Sequence, residues 1–351
     1  MRRTEFMTSQ INLSRIPIKN IYYMLVYSWG YPQEHKLITV SQRDEKDLTN
    51  LLCFVLISKL KSLIKKGIYK EYKEVQQVSG ILRCKTNFTE SIKNFSFKQG
   101  KMHIEPDELT IDTLYNQIIK RIIITLLQYE TLEPKYKIEL KRILSYFNLV
   151  SDIKIKEQDF KHFIYHKSNY HYKFIMLLCR FIWTKLLLHE SESHDYFNDF
   201  TRDHKELARL FEKFVRNFYA LELSNCTVRS EKFHWASSGT LESALPEMRT
   251  DISIESLDEK IILDTKFYHT ALKQSFNKES INSEHVYQVF SYLMNDYKCR
   301  NLKQTGILLY PEVNKEISFD GTIHQFSFKV CTVNLYCDWK NIHDRLLNII
   351  T

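Results

Sequence analysis

Apolar and polar positions follow two periods along this chain, and the changes of period mark its elements. Over 44–66 the residues Leu48, Leu51, Leu52, Val55, Leu56, Leu60, Leu63 and Ile64 recur at helical spacing, and Gly67 closes the run. Upstream, 16–31 reads IPIKNIYYMLVYSWGY, which predicts a short helix packed into a core. Residues 68–111 switch to shorter runs and predict a small β-rich unit. Helical spacing returns over 112–148, split at Pro134, and again over 172–189, which is apolar enough to be buried. The polar stretch 190–203, ESESHDYFNDFTRD, predicts a domain boundary. Beyond it the pattern predicts a helix over 204–223 and strands near 226–235, 251–256 and 260–268. A helix at about 283–298, strands near 303–310 and 323–335, and a final helix from 338 complete the chain.

The run KIILDTKFY is continuously apolar around its charges, so it reads as a central strand rather than an exposed edge. KIILDTKFY, then helix, then TGILLYP predicts a right-handed parallel crossover. The fold class expected is α+β or α/β. A mixed helical and β-rich domain, 1–195, precedes an α/β domain, 196–351, of the restriction-endonuclease type.

The chemistry concentrates between Pro246 and Tyr268. Asp251 opens one alternating run, and Asp264-Thr265-Lys266 lies in the next. An acid followed by acid-x-lysine on a neighbouring strand is the minimal skeleton of a PD-(D/E)xK nuclease. Strand side chains alternate, so Asp264 and Lys266 share a face while Thr265 turns away. A return through Ser256-Leu257-Asp258-Glu259 brings Asp251 beside them. Two carboxylates and the Thr265 carbonyl then offer hard oxygen ligands suited to Mg2+. Lys266 can activate an attacking water or offset charge developing on a phosphate.

Supporting groups follow from spacing. Gln288 and Tyr292 are four apart on one helix face. In a nuclease of this type that face would lie beside the metal strand and contact the phosphate backbone; an ordinary amphipathic helix with a Gln near its edge is the plainer alternative. Glu212, on the helix before the strands, is placed to approach the metal; a solvated helix-face charge is the plainer alternative. Lys273 and Lys278, in the expected loop 269–282, are candidate DNA-backbone contacts. His162, His166 and His171 cluster, but zinc would need further ligands that the sequence does not show.

Composition narrows the class. The 351 residues suit about two domains. Gly 7 and Pro 6 are few and Phe 22 and Tyr 21 many, which favours long helices and packed sheets over disorder. No uninterrupted apolar run is long enough to span a bilayer, so no membrane association is expected. The N-terminus lacks a signal-peptide core, and seven unpatterned cysteines read as reduced thiols. Both point to a cytoplasmic protein. The net charge of +8 is compatible with a nucleic-acid partner. No GxxxxGK[ST] loop is present, so the chain is not expected to bind a nucleotide itself.

Taken together, these motifs resemble McrC, the nuclease subunit of McrBC-type 5-methylcytosine restriction systems. IPIKNIYYMLVYSWGY resembles that family's opening, and LYNQIIKRIIITLL its mid-chain helix. PEMRTDISI and KIILDTKFY resemble its nuclease strands, HVYQVFSYL its Q-xxx-Y helix and VCTVNL its closing strand. The resemblance implies that Asp251, Asp264 and Lys266 are catalytic, while Glu212 is less secure. It implies a partner, a McrB-like AAA+ ring that binds GTP and recognises modified double-stranded DNA. The N-terminal part would dock into the ring and stimulate its GTPase; the C-terminal part would cut DNA with Mg2+. Two alternatives stand beside this: a non-catalytic activator with a DNA-binding nuclease-like domain, and a stand-alone RecB-like nuclease.

Overall fold

The computed structural model describes residues 16–37, 47–74, 77–81, 85–184, 204–235, 237–267, 272–275, 278–296, 301–313 and 315–350. The expected boundary stretch 190–203 and the end of the helix expected over 172–189 lie outside these. The chain forms two compact units: Met1–Asp44 with Tyr196–Thr351, and Glu45–Asp195.

Helix α1 (Ile18–Ser28) opens the first unit and is apolar almost all round, with Ile21 through Tyr27 buried. Its domain differs from expectation. The sequence pattern assigns α1 to an N-terminal domain ending at 195, but α1 packs with the C-terminal residues. Asn20 Nδ2 donates to the carbonyls of Leu335 (2.8 Å) and Cys337 (2.7 Å). Tyr27 Oη donates to Glu222 at 2.6 Å, and Asn217 donates to the Tyr27 and Ser28 carbonyls. A helix buried on nearly every side needs neighbours on every side, and these come from the far end of the chain.

The second unit starts with α2 (Leu48–Lys66). Asp47 caps it by accepting from Asn50 N at 2.8 Å, and Gly67 ends it at φ 99°. Five short strands follow: β1 (Glu71–Glu74), β2 (Gln77–Ser79), β3 (Lys85–Thr86), β4 (Met102–Glu105) and β5 (Asp107–Thr110). β1 pairs with β5, and β2 and β3 flank β4, so the β-rich stretch is two small sheets. The short helix α3 (Phe88–Lys93) lies between β3 and β4. Helices α4 (Leu114–Gln128), α5 (Pro134–Leu144) and α6 (Tyr172–Ile182) complete the unit. Pro134 stands in the first turn of α5, where its missing N–H costs nothing, hence the split there. Tyr172 Oη donates to Asn116 at 2.8 Å, and Asn116 donates to the Ile111 and Tyr69 carbonyls.

The first unit resumes with α7 (His204–Glu222), which buries Phe211, Phe214, Phe218 and Tyr219. Then come β6 (Thr227–Arg229), β7 (Lys232–Phe233), β8 (Met248–Arg249), β9 (Ile252–Glu255) and β10 (Glu259–Thr265). Strands β11 (Leu272–Ser275) and β12 (Lys278–Ile281) pair antiparallel where a loop was expected. Helix α8 (Ser283–Asn295) leads to β13 (Lys303–Pro311), β14 (Ser318–Ile323), β15 (Phe326–Val333) and α9 (Trp339–Ile350). The six-stranded sheet runs β14-β15-β13-β10-β9-β6. β10 is parallel to β13 and antiparallel to β9, so it is central as its sequence suggests. β14 was not expected. It is exposed at nearly every position, so it lacks the alternation that marks a half-buried strand.

Helix α8 covers the sheet over Ile262, Leu308 and Phe328. Gly306 permits the close approach: a Cβ there would lie 2.7 Å from Val289 Cγ1 and 2.9 Å from Leu293 Cδ1. Among the described residues no helix is long and apolar enough to cross a membrane. Among the described residues, Cys53, Cys179, Cys226, Cys331 and Cys337 form no disulfide.

Candidate active site

Leu263 pairs with Ile252, so the next step along β9 and β10 sets Asp264 opposite Asp251. Asp251 stands just before the paired part of β9 and reaches across the strand end. Its Oδ2 accepts from Thr265 N at 2.9 Å and from Thr265 Oγ1 at 3.0 Å. Thr265, expected to turn away, therefore anchors the first acid. Its position at the end of β10 lets Asp251 bend around it.

Asp264 has no exposed surface. Lys266 Nζ lies 2.7 Å from Asp264 Oδ2 as an ion pair. Apart from this ion pair, neither Asp264 carboxylate oxygen has a hydrogen-bond partner among the described residues. Burial, and then the charge of Asp251, push the Asp264 carboxyl up to about 7, against the pull of Lys266. Lys266 Nζ also donates to Gln288 Oε1 at 2.9 Å, and Gln288 Nε2 donates to Tyr292 Oη at 2.8 Å. The helical four-residue spacing thus becomes a relay: Tyr292 fixes Gln288, and Gln288 fixes Lys266.

Glu212 lies on α7 near this pair. Burial, and then the charge of Asp251, raise its carboxyl above the usual range, while Arg216 opposes the shift. Arg216 donates to Glu212 Oε1 at 3.0 Å and to the Asp251 carbonyl at 3.3 Å. The sequence reading did not name Arg216. The signal available was its position four residues after Glu212, the spacing of a helical ion pair.

Lys273 and Lys278 fall on the β11–β12 ribbon, and their side chains lie outside what the structure describes. Among the described residues no group of three or more His, Cys, Asp or Glu is placed to hold a metal ion. Glu212, expected to approach the metal, therefore does not join Asp251 and Asp264 as a third carboxylate ligand in this arrangement. At the strand site the available donors are two carboxylates and main-chain oxygen, the hard set that Mg2+ takes.

A family model described as "McrBC 5-methylcytosine restriction system component" matches residues 8–311. The chain belongs to this family. It is also similar to the curated protein "Type IV methyl-directed restriction enzyme EcoKMcrBC" of Escherichia coli (strain K12). The two are 30% identical over 337 residues, covering 95% of this chain and 97% of that one. The fold of this McrBC-family chain resembles a chain in a "Refined half-complex from tetradecameric assembly of Thermococcus gammatolerans McrB AAA+ hexamers with bound McrC". The TM-score is 0.60 at 16% identity, over 95% of this chain and 76% of the other.

Proposed function

We propose that this McrBC-family chain is the DNA-cutting subunit of a modification-dependent restriction complex, hydrolysing phosphodiester bonds with Mg2+. The observation that carries this reading is the set itself: Asp264, fully buried, faces Asp251 across the strand end and has, among the described residues, only the single Lys266 ammonium against two carboxylates. One ammonium leaves the buried pair of acids under-neutralised, so Asp264 is costly to ionise unless a further cation joins it. Asp251, Asp264 and the Thr265 carbonyl would hold the metal, with Glu212 within reach of the same charges. Bound there, Mg2+ supplies Lewis-acid polarisation of the scissile phosphate.

The chain's own residues supply the rest. Lys266 offsets negative charge developing on the phosphate, and Gln288 and Tyr292 hold its ammonium in place. Arg216 holds the backbone at Asp251, so the two acids keep their spacing. The partner is a McrB-like AAA+ ring, which binds GTP and recognises methylcytosine-containing duplex DNA. This chain stimulates the ring's GTPase and cuts the DNA.

The test is Asp264→Ala in the assembled complex, supplied with methylated DNA, GTP and Mg2+. Cleavage should fall by at least about a hundredfold, the scale seen on losing a key electrostatic group. GTP hydrolysis by the partner should stay near wild type. Cleavage at the wild-type rate by that variant would remove the site assignment.

A further inference from the structure

Residues 160–189 contain no Asp or Glu, although the chain carries 42 of them. The same stretch holds four Lys, one Arg and four His. The two units share the charge unevenly. Residues 45–195 contain 25 Lys and Arg against 18 Asp and Glu, which accounts for seven of the eight net positive charges. The positive field therefore sits on the unit that does not carry Asp251 and Asp264.

Within the acid-free stretch, 161–171 is neither helix nor strand, yet it is held at several points. Tyr115 Oη donates to the Ile164 carbonyl at 2.6 Å, and the buried Asn169 donates to the same carbonyl at 3.1 Å. Asn169 Oδ1 accepts from His166 N at 2.6 Å. The Phe163 ring stacks on Tyr115 with centroids 4.5 Å apart. With these inward groups fixed, Lys161, His162, Ile164, His166, Lys167 and Tyr170 are exposed. Ile164 is 67% exposed and Tyr170 57%, and the Lys173 ammonium stands 5.7 Å from the Tyr170 ring centroid. Arg180 is paired with Glu157, but no carboxylate pairs with Lys161 or Lys167 among the described residues.

We propose that this loop grips the sugar–phosphate backbone of DNA, giving the chain a DNA contact in the second unit as well as at the strand site. The proposal rests on DNA being the substrate. Free ammonium groups neutralise phosphates and release their counterions. Exposed Tyr and His rings interleaved with them offer flat faces for sugars or unstacked bases. A loop already ordered by Tyr115 and Asn169 loses little freedom on binding. An acidic protein surface would satisfy the lysines but would leave these ring faces unused.

The test uses the full chain in EDTA, which stops metal-dependent cutting, with a short fluorescent duplex followed by anisotropy across a NaCl series. Combined Lys161→Gln and Lys167→Gln should weaken binding by about tenfold at moderate salt. The slope of log Kd against log salt should fall by about two, one per lost phosphate contact. Tyr170→Ala should weaken binding at every salt concentration and leave the slope unchanged. Melting curves matching wild type establish that each variant is folded. Wild-type affinity and slope in the folded double variant would overturn the proposal. So would normal DNA binding by that variant with lost stimulation of an AAA+ partner, which would make the loop a protein contact. A wild-type chain that binds DNA through this loop but never cuts it, even when assembled with its AAA+ partner and given methylated DNA, GTP and Mg2+, would defeat the nuclease reading and leave this one standing.

Discussion

Asp264 has no exposed surface, and its carboxyl is pushed up to about 7 by burial and by Asp251. The unfolded chain releases the same proton near the ordinary value of 3.8. Between these values the folded state holds more protons than the unfolded one, so the stability of the metal-free protein falls as pH rises. The contribution is fully present below about pH 4 and is lost as pH passes about 7. Its size is on the order of a few kcal/mol. In EDTA, the wild-type melting temperature should therefore decline over this window more steeply than that of Asp264→Asn, which has no proton to lose. Parallel curves for the two proteins would show that Asp264 does not titrate this way. Lys266 lowers the shift without cancelling it, because burial and the charge of Asp251 outweigh it.

At the scale of elements, the site depends on how closely α8 lies on the sheet. Gln288 holds Lys266 only because Val289 and Leu293, on the adjoining face of the helix, reach the backbone of β13 at Gly306. A Cβ at 306 would also stand 3.1 Å from Phe328 Cδ2, so the new methyl is enclosed on three sides. Val289 is β-branched on a helix and has little rotamer freedom to yield. Gly306→Ala should cost about 1–3 kcal/mol by overpacking. It should also lower cleavage, because the helix must lift and carry Gln288 with it. Adding Val289→Ala should recover part of both losses, as a double-mutant cycle in urea melts and cleavage rates would record. Strictly additive losses would mean that the methyl is accommodated elsewhere.

For the whole molecule, the placement of α1 decides which fragments fold. A fragment of residues 45–195 contains one entire compact unit. It should be soluble and unfold cooperatively. A fragment of residues 1–195 adds α1 without α7 or the Leu335–Cys337 turn, leaving Tyr22, Tyr23, Leu25 and Val26 uncovered. It should aggregate, and sedimentation of the two fragments side by side checks this. A monomeric, cooperatively folded 1–195 fragment would show that α1 finds cover within the first half. Local periodicity alone determined a good deal of this protein. The helical spacing of 48–64, the apolar run at 260–268 and the four-residue step from Gln288 to Tyr292 each settle the face a side chain occupies. The reading of Asp251, Asp264 and Lys266 as one set followed from that, because alternation puts Asp264 and Lys266 on one face and the short return brings Asp251 to the neighbouring strand. Only the tertiary structure decided the rest: the unit that α1 joins, the strand order β14-β15-β13-β10-β9-β6, and the bridge from Arg216 to the Asp251 carbonyl. The strand at 318–323 also came from tertiary pairing, since its exposed residues carry no alternation. Periodicity reports the side of an element that is buried. The neighbour that buries it is chosen by contacts between residues hundreds of positions apart, such as Asn20 with Leu335, and no local pattern encodes them.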